Sequence, residues 1–208
     1  MHSTQPRSSW FIVGVFAVLF ALSFSAPARA FDMPRVLLIG VDGVPEAMFR
    51  DQRPFLQLSD DLAAELSETG YRVFMEDAAV EGAGRKNRVR RTTQQTLEAV
   101  EDLPDRALDY AVLLTVRHDV EHGDGHILFA LKVVAQIVDA TQGEVLETLK
   151  IKSSERRIDK DYCNAMCLRR AAARSGETLA PYLAERLMEE FDALEDERYA
   201  ALSGPRHG

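Results

Sequence analysis

Apolar positions recur along this chain in two rhythms, one of two residues and one of three to four. Arg35-Val36-Leu37-Leu38-Ile39-Gly40-Val41 is a short branched apolar run ending at glycine, which predicts a buried strand. From Ser59 the period lengthens. Ser59 is expected to cap a helix continuing Asp60-Asp61-Leu62-Ala63-Ala64-Glu65-Leu66, with both aspartates at the positive end of its dipole. Leu62 and Leu66 share one face, and Gly70 supplies a left-handed stop. Residues 71–75 predict a second strand. Thr92 or Thr93 caps a second predicted helix that runs to about Asp102, ahead of Pro104. Residues 108–118 predict a strand with the apolar centre Ala111-Val112-Leu113-Leu114, and residues 121–125 a turn. Across residues 126–139, Ile127, Phe129, Leu131, Val133, Ala135 and Ile137 fall on alternate positions, the signature of a strand face. Asp139-Ala140-Thr141-Gln142-Gly143 turns the chain into a last strand at 144–152, and residues 153–160 read as a polar connection. Beyond it, Leu179, Leu183, Leu187, Phe191 and Leu194 form one helical stripe, in which Pro181 fits only near the first turn.

This order is βαβα, then a three-strand antiparallel meander, then C-terminal helices. It predicts a single α/β domain with the helices packed on a mixed sheet. The domain is expected to span residues 31–202, with a flexible tail at 203–208.

Residues 1–30 stand apart from that pattern. Arg7 precedes an apolar run from Trp10 to Phe24, and Ala28-Arg29-Ala30 is a small-x-small cleavage site. This is the form of a cleavable Sec-type signal peptide, too short in its apolar run for a spanning helix of about twenty residues. The expected location is the bacterial periplasm, with no transmembrane span after cleavage and no lipid attachment. Removing Arg7 and Arg29, and no acid, takes the formal charge from −8 to −10. A chain that acidic has little attraction for nucleic acid or anionic lipid through its overall field.

Export changes the meaning of Cys163 and Cys167, the only cysteines. In an oxidising compartment a lone pair is expected to cross-link, here fixing a turn before the last helix. An alternative uses both thiolates, with Met166 nearby, to hold copper. His118, His122 and His126 flank the predicted hairpin turn among Asp119, Glu121 and Asp124, and offer an alternative zinc or copper site in which His118 and His126 face each other. Arg85, Lys86, Arg88, Arg90 and Arg91 make a local positive patch, the expected contact for an anionic partner.

The run Leu58 to Leu66 ending at Gly70, the strand Leu108-Asp109-Tyr110-Ala111-Val112-Leu113, and the hairpin Val138-Asp139-Ala140-Thr141-Gln142-Gly143-Glu144-Val145 together resemble one group of small periplasmic α/β domains. The group comprises the curli-secretion lipoprotein, the penicillin-binding-protein activator lipoprotein and the N-terminal domain of the Tol translocation protein. The resemblance covers residues 35–152. It implies a non-catalytic module, without cofactor, that binds cell-envelope proteins in the assembly or regulation of envelope machinery. The lipoprotein members are tethered through a lipidated cysteine, which has no counterpart before Cys163 here. A second resemblance points elsewhere. Val36 to Gly43 is similar to the first strand of metal-dependent phosphodiesterases of the alkaline-phosphatase superfamily, which implies a metal ligand at Asp42. The later ligand pattern of those enzymes is missing from this sequence.

Overall fold

The computed structural model describes residues 33–75, 90–101 and 108–203. The expected signal segment, three members of the basic cluster (Arg85, Lys86 and Arg88) and the last residues of the expected tail lie outside the described residues.

Strand β1 (Arg35–Gly40) is the buried centre of the sheet. Val36 and Leu37 point to opposite faces and both are fully buried, which a strand achieves only when both sides of the sheet are covered. It pairs in parallel with β2 (Arg72–Met75) on one side and with β3 (Tyr110–His122) on the other. β3 runs antiparallel to β4 (His126–Asp139) over its whole length, and β4 carries β5 (Val145–Lys152) on its outer edge. The path is β2-β1-β3-β4-β5, and a sixth strand off that path pairs with β4, giving a six-stranded mixed sheet in a single α/β domain.

The sixth strand corrects the reading of residues 153–160 as a polar connection. β6 (Arg156–Asp159) pairs antiparallel with the first residues of β4. Between β5 and β6, Ser153 ties the chain to β4: its N–H donates to the Leu131 carbonyl, and its Oγ accepts the Leu131 N–H at 3.0 Å. Arg-Arg-Ile-Asp holds one apolar residue, too few for a period to show.

Helix α1 (Arg53–Glu68) links β1 to β2, and here Ser59 is not the cap. Gln52 takes the N-cap position and Pro54 sits in the first turn, where its missing N–H leaves no bond unmade. Phe55 and Leu58 extend the Leu62–Leu66 stripe backwards, and burying them outweighs a side-chain cap. The helix closes in a Schellman arrangement, with Tyr71 N–H bonded to the Leu66 carbonyl, Gly70 N–H to the Ser67 carbonyl, and Gly70 at φ 102°. Helix α2 (Thr93–Glu101) opens with a reciprocal capping box: Thr92 Oγ1 accepts the Gln95 N–H, and Gln95 Oε1 accepts the Thr92 N–H.

Helix α3 (Ala165–Ser203) is one 39-residue helix rather than several, and Pro181 lies in its interior rather than its first turn. An interior proline costs about 3 kcal/mol. Leu179, Leu183, Leu187 and Phe191 are buried around it, each contributing about 1.5–3 kcal/mol, so the stripe carries the helix through. α3 and α1 cover one face of the sheet, meeting Val36, Leu38, Tyr110, Val112, Phe129, Leu131 and Ile137. On the other face Leu37, Ile39, Ala111 and Leu113 pack with Val100 of α2.

Candidate functional site

The crossover from β1 through α1 places β2 on one side of β1, and the return from β2 by way of α2 places β3 on the other. The carboxyl end of the middle strand is then the position where open α/β sheets hold their ligands. Here the chain continues past Gly40 with Val41 N–H bonded to the Leu114 carbonyl. It then folds over β3, where Met48 N–H reaches the Val116 carbonyl and Ala47 bridges Arg117. Asp42, at the apex, is 4% exposed. Its Oδ1 accepts the Arg91 N–H at 2.9 Å and its Oδ2 lies 3.7 Å from Arg50 Nε. Gly43 N–H donates to the Arg91 carbonyl at 2.7 Å. A Cβ at position 43 would fall 2.5 Å from that carbonyl carbon, so only glycine permits the approach.

These contacts explain where the described part of the basic cluster sits. Arg91 is held by its backbone against Asp42 and Gly43. Arg90 is exposed, with its guanidinium carbon 4.3 Å from the centroid of the Phe49 ring. Phe49 is itself 40% exposed, an aromatic platform at the surface. The carboxylate of Asp42, the residue singled out by the phosphodiesterase likeness, is committed to Arg91 and Arg50.

The hairpin histidines do not assemble. The register sets His118 opposite Leu131 and His122 opposite Ile127, so His118 and His126 do not face each other. His118 lies 5.6 Å from the Phe129 ring, and burial there lowers its pKa. His126 Nδ1 is 2.9 Å from the Asp124 carbonyl. Asp119 bridges Lys132 at 3.0 Å and Lys152 at 2.9 Å, and their hydrogen bonds hold its carboxyl below its ordinary range. Among the described residues no group of three or more His, Cys, Asp or Glu side chains is placed to hold a metal ion.

Cys163 and Cys167 are joined in a disulfide, with α-carbons 5.2 Å apart. Their sulfurs bond each other and are not thiolates for a copper ion. Asn164 caps α3 between them, its Oδ1 accepting the N–H groups of Met166 and Cys167. The wall that follows was missed in the sequence. Arg156, Arg157, Ile158, Cys167, Arg170, Ala171 and Arg174 line a groove of about 330 Å³ between β6 and α3. The signal was a second arginine cluster at 156, 157, 169, 170 and 174, hidden by β6 being read as a connection.

Among the described residues no helix is long and apolar enough to cross a membrane. No protein-family model matches the chain. No curated protein matches it in sequence. Solved structures do resemble it. A lipoprotein of Neisseria meningitidis is 20% identical, with a TM-score of 0.44 over 71% of this chain and 98% of that one. A homologue of the neuraminyllactose-binding hemagglutinin from Helicobacter pylori is 13% identical, with a TM-score of 0.49 over 80% of this chain and 91% of that one. A minor lipoprotein of Acinetobacter baumannii is 14% identical, with a TM-score of 0.41 over 77% and 94%. At these identities and scores no residue role passes from them to this chain. The narrower likeness to the curli-secretion, penicillin-binding-protein activator and Tol group rests on the sequence motifs alone.

Proposed function

We propose that the chain is a soluble periplasmic module that binds cell-envelope proteins without catalysis, and that it docks them at the carboxyl end of β1. The export signal at residues 1–30 supports the compartment, and the motif resemblance supports the class of partner. The observation that carries the docking surface is Arg90 stacked 4.3 Å over a partly exposed Phe49. Arginine and aromatic side chains are the residue types that concentrate binding energy in protein interfaces. The Asp42 and Gly43 contacts to Arg91 hold that pair in place from beneath, so little order remains to be created on docking. The rest of the basic cluster leads into Arg90 along the chain.

The test is a photo-reactive residue placed at position 49 in cells expressing the full chain. A discrete adduct with one envelope protein, lost in R90E, is the expected result. Adducts that persist unchanged in R90E would remove this surface from the proposal. Recovery of the chain from the cytoplasm rather than by osmotic shock would remove the compartment.

A further inference from the structure

A second basic surface, built by β6 and the start of α3, differs in kind from the one at Arg90. We propose that the groove between them is a binding site for a phosphate group. Cys167, Arg170, Ala171 and Arg174 recur at the spacing of one helical face, and that face lines the groove. Arg156 and Ile158 alternate onto one side of β6 opposite Phe129 and Ile127, and Phe129 and Ile158 belong to the core that α1 and α3 cover. Arg156 donates from Nε to Ser175 Oγ at 3.3 Å, and Ser175 is fully buried. That bond aims the fork while its two terminal nitrogens keep no partner among the described residues. Arg157 Nη2 lies 3.4 Å from His126 Nδ1.

No carboxylate lines this groove. Among the described residues none is ion-paired with Arg156, Arg157, Arg170 or Arg174, although the chain carries 33 acids against 25 bases. Gathering guanidinium groups without an acid raises the energy of the empty protein, and an anion bound among them removes that repulsion. A single carboxylate occupies one guanidinium fork. A phosphate monoester carries close to two charges and enough oxygens to accept from several forks at once. The volume of about 330 Å³ lies within the range of small-molecule sites, leaving room for the group that bears the phosphate. The wall is stiff: the disulfide and the Asn164 cap fix the first turn of α3. Tyr162, 87% exposed, and Met166, 59% exposed, stand beside that disulfide. The phosphate therefore comes either from a free solute or from a lipid headgroup.

The full chain is titrated with inorganic phosphate. It is also titrated with phosphatidylcholine vesicles containing or lacking phosphatidic acid. Parent, R170E/R174E and R72E/K150E are compared; the last makes the same charge change at exposed positions outside the groove. Binding to phosphate, to phosphatidic acid vesicles, or to both is expected. Charge-assisted bonds to a phosphate are among the stronger hydrogen bonds, so R170E/R174E should lose about tenfold or more in affinity, with R72E/K150E within about twofold of the parent. Binding of phosphate alone assigns a free solute, and binding of vesicles alone a lipid headgroup. No binding of either, or equal loss in both variants, overturns the site. Should R170E/R174E not fold by circular dichroism, R170Q/R174Q replaces it with the same criteria. The phosphate site stands or falls independently of the docking surface at Phe49 and Arg90.

Discussion

The Asp42 carboxylate accepts the backbone N–H of Arg91 at 2.9 Å, tying the end of β1 to the segment that opens α2 across 49 positions of sequence. A buried acceptor removed from such a bond costs about 1–3 kcal/mol. Asp42→Ala is expected to lower the unfolding free energy by that amount, read as a lower urea midpoint, and Gly43→Ala to do at least as much, because its Cβ meets backbone at 2.5 Å. Unchanged midpoints in both variants would show that the segment is held by something else.

Ser59 is 3% exposed within α1, and its Oγ has no hydrogen-bond partner among the described residues. A buried hydroxyl without a partner destabilises by roughly 1–3 kcal/mol. Ser59→Ala is therefore expected to leave stability unchanged or raise it by up to about 1 kcal/mol. A clear loss on urea unfolding would mean that the hydroxyl is satisfied in solution.

Two tyrosines make stability depend on alkaline pH. The Tyr110 hydroxyl donates to Glu195 Oε1 at 2.8 Å, and its ring stacks on Phe191 at 4.9 Å. Burial, then the bond and charge of Glu195, push its pKa well above the ordinary tyrosine range. Burial, then the charges of Asp192 and Glu195, push Tyr71 up to about 12. Both groups are neutral in the folded chain at a pH where the unfolded chain already loses protons. Their stabilisation is thus complete below about pH 10 and declines as the pH rises through the folded-state values. Urea midpoints should be lower at pH 11 than at pH 8, and Tyr110→Phe should shrink the difference. The same difference in the parent and in Tyr110→Phe would count against Tyr110.

The Cys163–Cys167 bridge closes a short loop, for which chain entropy gives about 2 kcal/mol. C163S/C167S is expected to lose about that much unfolding free energy, read as a lower urea midpoint, and to keep its helix content. Titration of two free thiols in protein purified without reductant would contradict the bridge.

Much of this fold was legible because its signals are local. The two-residue period of Ile127 to Ile137 fixes which side chains of β4 share a face, and the structure covers that face with α1 and α3. The stop at Gly70 and the cap at Thr92 are short-range hydrogen bonding, found where the residue types placed them. Three readings failed where packing overrode local preference. Ser59 has the chemistry of a cap, yet Phe55 and Leu58 draw the helix back past it. Pro181 has the chemistry of a helix start, yet a buried stripe continues through it. β6 has almost no strand signal and exists because the free edge of β4 supplies its hydrogen-bond partners.

The candidate sites divide along the same line. Residue type marked Arg90 and Arg91 as positive and Cys163 and Cys167 as a pair. Spacing alone suggested that His118 and His126 meet, and the register of β3 with β4 keeps them apart, since which residues oppose each other is settled by strand pairing. Arg156 lies in a strand and Arg170 and Arg174 in a helix, and only the antiparallel placement of β6 beside β4, beneath α3, sets them along one groove. Periodicity, caps and turns act over a few residues and can be read along the chain. The groove and the Arg90–Phe49 surface depend on contacts between distant segments, which form only when the apolar faces of sheet and helices are buried together.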